Sequence, residues 1–77
     1  MPSINESVGA RVRAVRTDCG MSIGEVVAEL RNPITIQQFA NYEKGVSRWP
    51  VDLLVDVARI LEFDIQTFCE EAEKNGY

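Results

Sequence analysis

Gln37, Gln38 and Asn41 are the residues of this chain whose types and spacing could do chemistry. A primary amide sets a donor N–H beside an acceptor C=O, a pair that matches the N6 and N7 edge of adenine in the major groove of DNA. Residues three and four apart share a helix surface, so a helix over 34–45 turns these amides outward while Phe39 and Tyr42 turn in. Such a face, in place of the usual Lys and Glu, is either solvated surface or a surface that touches a partner.

Other chemistries find little to work with. The chain has no His, and neither Cys19 nor Cys69 has an evident base nearby. The two cysteines form no CxxC pair, so no metal site is expected; in a chain without a leader they read as reduced thiols. Gly20 and Gly24 flank a capped helix start and lack the spacing of a nucleotide-binding loop. The chain therefore reads as a non-enzyme without a cofactor. It has no basic-then-apolar leader and no apolar run near the roughly 18–20 residues of a membrane span, so a cytoplasmic protein with no membrane partner is expected.

The net charge of −4 argues against nucleic acid until its distribution is considered. Residues 1–50 hold six Lys and Arg against five Asp and Glu, whereas residues 51–77 hold two against seven. Net acidity is thus concentrated in the last third, and placement matters more than the total for contact with DNA. The electrostatic footprint is still weak, which predicts modest non-specific affinity.

The elements that must position the amides are helices, because no segment sustains a period of two. Val8, Val12, Val15 and Cys19 mark one face of a first helix, started by Ser3 with Glu6 or by Asn5 and ended by Gly20. Ser22 with Glu25 forms a capping box for a second, stapled by Met21 and Val26, that buries Val26, Val27 and Leu30 and stops ahead of Pro33. Thr35 with Gln38 caps a third, stapled by Ile34 and Phe39 and ended by Gly45, which gives Gln38 two competing roles, cap and contact. Pro50 suits the first turn of a fourth helix with Leu53, Leu54, Val57, Ile60 and Leu61 inward. Asp64 caps a fifth, with Phe63 and Phe68 as its staple. Trp49 reads as packing over the start of helix four, with an interface anchor as the other reading. The expectation is an all-α fold of five helices in one domain over 1–77, with a core at about 7–68 and frayed ends at 1–5 and 74–77.

Capped helix, short turn, capped helix is the order of a helix-turn-helix. Arg11 through Arg16, Gly20-Met21-Ser22, Leu30, Ile34 through Gln38, Tyr42-Glu43-Lys44-Gly45 and Ala58 through Leu61 resemble the lambda-repressor-like (Xre/Cro/CI) DNA-binding domains. The resemblance implies that Ile36, Gln37, Gln38 and Asn41 contact bases and that Arg16 and Glu43 form a structural ion pair. It implies phosphate contacts from Lys44, Ser47 and Arg48, to which Arg11, Arg13 and Arg31 add. Two departures stand out. Relatives have about two fewer residues between Leu30 and Ile34, where this chain reads Arg31-Asn32-Pro33, and Ile23 replaces a glutamine that grips phosphate. Val27 also replaces a small residue.

The function expected is a bacterial or phage regulator of transcription, a repressor that binds an inverted repeat in a double-stranded operator as a homodimer, its seam on the last helix, with RNA polymerase as a further contact. The rival is a protein-interaction module on the same fold, such as an antitoxin or regulatory subunit.

Overall fold

The computed structural model describes residues 4–66, and there the chain is helical with no strand. Four helices follow one another: α1 (Ile4–Asp18), α2 (Ile23–Glu29), α3 (Ile36–Glu43) and α4 (Val51–Leu61). The all-α expectation agrees with this, but the count of five helices is corrected to four among the described residues. Asp64 Oδ1 does accept a hydrogen bond from Gln66 N–H at 2.9 Å. Phe68, the staple partner on which the fifth helix rested, lies outside the described residues, as does most of the last helix that was to carry the dimer seam.

Punctuation by local chemistry decides where the elements begin and end. Both capping boxes are complete. Ser22 Oγ accepts from Glu25 N–H while Glu25 accepts from Ser22 N–H, and Thr35 with Gln38 does the same. The Ser22 N–H, and then the Ser22 hydroxyl, hold the Glu25 carboxyl below its ordinary pKa. Gly20 (φ 71°) and Gly45 (φ 78°) supply the left-handed residue that ends α1 and α3. In each case the next two N–H groups fold back on the helix, Gly20 to Thr17 and Met21 to Arg16, Gly45 to Tyr42 and Val46 to Asn41. This is the Schellman arrangement. Glu62 ends α4 with φ 57°, a left-handed position occupied without glycine.

The start of α4 differs from expectation, and that of α1 narrows the two caps offered for it. Helix α1 begins at Ile4, so Asn5 lies within it and is no cap; Ser3 falls outside the described residues. Pro50 is the N-cap of α4, one position earlier than expected, and provides no side-chain cap of its own.

The core is formed by Val8 and Val12 of α1, Val26 and Leu30 of α2, Phe39 of α3, Trp49, and Leu54, Val57 and Leu61 of α4. Val12, Val26, Phe39 and Val57 are wholly buried, and each such side chain stabilises the fold by about 1.5–3 kcal/mol. Val27 is only half-buried, and Cys19, expected on the inner face of α1, is exposed, with its Sγ 3.9 Å from Leu61 O. Trp49 packs, as one of its readings held: its ring meets Phe39 edge-on at 5.6 Å and lies tilted over Tyr42 at 5.2 Å.

Gly9 governs how close α1 comes to α3. A Cβ there would collide with the backbone carbonyls of Tyr42 and Glu43, so only glycine permits this approach.

Candidate nucleic-acid interface

Helix α3 is held at both ends by groups that leave its outer face free. At the N-terminus Thr35 Oγ1 accepts from Gln38 N–H at 3.0 Å, and Gln38 Oε1 accepts from Thr35 N–H at 2.9 Å. At the C-terminus Arg16 grips Glu43 through two parallel bonds, Nε to Oε2 at 2.7 Å and Nη2 to Oε1 at 3.1 Å. The third arm of the same guanidinium, Nη1, donates to Met21 O at 2.9 Å. One side chain therefore joins α1, the α1–α2 turn and α3. The Glu43 hydrogen bond, ahead of the desolvation that opposes it, raises the Arg16 pKa above its ordinary value. Both side chains are buried, and a fork-shaped pair of this kind fixes geometry as well as charge.

Between these anchors Ile36, Gln37 and Gln38 are exposed and Asn41 is half-buried. Gln37 and Asn41, one helical turn apart, share a hydrogen bond of 3.1 Å between their amides. Ile36 is 58% exposed, an unusual position for a large aliphatic side chain on a helix rim. The four residues expected to contact bases thus occupy one short helix, three of them exposed.

The basic residues are less gathered. Lys44 is the C-cap of α3, and Arg48 is exposed between Ser47 and the buried Trp49; Ser47 itself is half-buried. Arg11 and Arg13 are exposed on α1, two positions apart, which points them to roughly opposite sides of that helix. Arg31 sits in the α2–α3 turn with its guanidinium 3.7 Å from Asp56 of α4 and largely exposed.

The turn holds a feature that sequence reasoning missed. Asp56 Oδ2 accepts from the backbone N–H of Arg31 at 2.7 Å, and Asp56 Oδ1 accepts from Arg59 Nε at 2.9 Å. Arg59 Nη2 in turn donates to Glu29 O at 3.1 Å, one of the carbonyls left open at the end of α2. The Arg31 N–H, and after it the Arg59 guanidinium, hold the Asp56 carboxyl below the ordinary carboxylate range. The Asp56–Arg59 pair thus clasps the Arg31-Asn32-Pro33 turn to α4. In the sequence, Asp56 and Arg59 look like an ordinary surface pair three residues apart, and nothing local signals their reach. Arg31, Asp56 and Arg59 also line a groove of about 470 Å³ walled by Ile34, Tyr42 and Leu53.

Two capped helices, α2 and α3, joined by an extended turn, packed on α1 and α4 and presenting the outer face of the second, make a helix-turn-helix. Over 73 residues the chain is 37% identical to a protein of Sinorhizobium medicae (strain WSM419) named "Uncharacterized HTH-type transcriptional regulator". It is equally similar to a protein of that description from Rhizobium meliloti (strain 1021). These likenesses cover 95% of this chain and 51% of each relative, and they support a helix-turn-helix family. The chain spans about half the length of the curated relatives it matches. No family model matches the chain, and no solved structure matches it.

Proposed function

We propose that the chain is a sequence-specific DNA-binding regulator of transcription of the lambda-repressor-like kind, with α3 as its recognition helix. The observation that carries this reading is the outer face of α3, where a hydrogen-bonded Gln37–Asn41 pair stands beside Gln38 and Ile36 on a helix anchored at both ends. Gln37, Gln38 and Asn41 discriminate bases, and Ile36 meets a thymine methyl. Arg31, Lys44, Ser47 and Arg48, with Arg11 and Arg13 from α1, position the domain on phosphates. The names of the two relatives, both described as transcriptional regulators of the helix-turn-helix type, support the same reading.

The protein acts as a homodimer on an inverted repeat, with two recognition helices about 34 Å apart on one face of the duplex, and represses by occluding a promoter. It works in the cytoplasm; among the described residues no helix is long and apolar enough to cross a membrane.

The test is binding to duplex from the region upstream of its own gene against random duplex over a range of salt. A preference of about a thousandfold or more is expected. Replacing Gln37 and Asn41 with Ala removes most of that preference and leaves the melting temperature nearly unchanged, since their amides bond each other at the surface and serve no cap. No binding at any salt, or a collapse of stability in the double variant, overturns the assignment.

A further inference from the structure

The capping box at the head of α3 limits what Gln38 can say to a base. Thr35 N–H can only donate, so the group facing it at 2.9 Å must be the amide oxygen of Gln38. The cap takes one of the carbonyl's two lone pairs and fixes the amide with its oxygen toward the Thr35 N–H, so the NH2 group, carried on an exposed side chain, is the end left for a partner. The Gln37–Asn41 contact fixes no such assignment, because it joins two amides and either can be the donor.

This asymmetry has a chemical consequence at a base edge. Reading adenine takes a donor to N7 and, beside it, an acceptor from N6–H, which an amide free to choose its orientation provides and Gln38, its oxygen held on the Thr35 N–H, does not. Guanine presents N7 and O6, two acceptors side by side, and thymine presents only O4. A side chain left with two N–H donors matches guanine best. The box also holds the amide back over the first turn of α3, the end of a recognition helix that meets base edges.

Resting on the DNA-binding reading above, we propose that Gln38 reads a guanine as a donor-only side chain, its orientation set by Thr35, while the adenine-type contact falls to Gln37 and Asn41. Cap and reader are then the same residue acting through opposite ends of one amide.

The experiment compares wild type with Gln38→Glu on a library of duplexes randomised over the binding site, scoring relative affinity for each base at each position. Glutamate keeps the box, as Glu25 does in α2, and removes both donors. Wild type should favour guanine at one position of the half-site by roughly tenfold or more. In Gln38→Glu that preference should vanish or pass to cytosine, whose N4–H2 a carboxylate accepts. All other positions should keep their ranking, and the melting temperature should hold within a few degrees. A uniform loss of affinity from the added charge does not alter these ratios. A specific wild type whose base preferences Gln38→Glu leaves intact overturns this inference alone and makes Gln38 purely a cap. A wild type with no sequence preference overturns the DNA-binding reading and this inference with it.

Discussion

Removing the Asp56 carboxylate should loosen the turn that leads into α3, and the size of the loss follows from its partners. The bond from Arg31 N–H, at 2.7 Å to a carboxylate whose side chain is only 11% exposed, belongs to the charge-assisted class worth about 1.5–3 kcal/mol. The Arg59 guanidinium is 44% exposed, so its pair with Asp56 counts as a surface interaction of about 0–1 kcal/mol. Asp56→Ala should therefore cost about 1.5–4 kcal/mol, which for a domain of this size lowers the melting temperature by roughly 6 °C or more. The pH dependence has a definite sign. The folded pKa of Asp56 is depressed, so its contribution is complete above the unfolded value of about 3.9 and is lost as pH falls through the folded one. Urea unfolding of wild type and Asp56→Ala, followed by circular dichroism from pH 7 down to pH 3, measures both effects. The gap between the two should narrow toward the acid end. A difference below about 0.5 kcal/mol at pH 7, or one that does not shrink toward pH 3, refutes the clasp as a stabilising feature.

Two further outcomes test the frame around α3. Glu43→Ala strands the buried Arg16 guanidinium and should cost about 3–5 kcal/mol by chemical denaturation, whereas the paired replacement Arg16→Met with Glu43→Leu should cost far less. At the end of α4, Glu62→Gly relieves a left-handed residue and should raise stability by up to about 1 kcal/mol, read as a higher urea midpoint at unchanged slope.

How much of this was legible in the sequence depended on reach. Ser22 with Glu25 and Thr35 with Gln38 close over three residues, and both boxes formed where their pattern stood, as did the glycine stops at Gly20 and Gly45. Arg16 and Glu43 are 27 positions apart and were visible only through resemblance to a family. The Asp56–Arg31 bond spans 25 positions and has no such precedent to signal it. Gly9 carried no signal either, because its reason lies in the carbonyls of another helix. The expectation of a fifth helix rests on a cap and a staple. The Asp64 end of that signal lies within the described residues, and its staple partner Phe68 lies outside them.

The double anchoring of α3 also shapes how this protein can change. None of the groups that hold the helix in place, Thr35, Glu43, Arg16 and the backbone beside Gly9, belongs to Ile36, Gln37 or Asn41. Those three positions can drift through many residue types at little cost to folding, so a lineage can explore new target sequences while the scaffold stays put. Gln38 is the exception. There a substitution is filtered for stability before it is filtered for fit, and few residues besides Gln and Glu pass the first filter. Diversification within one lineage should therefore be wide at 36, 37 and 41 and narrow at 38.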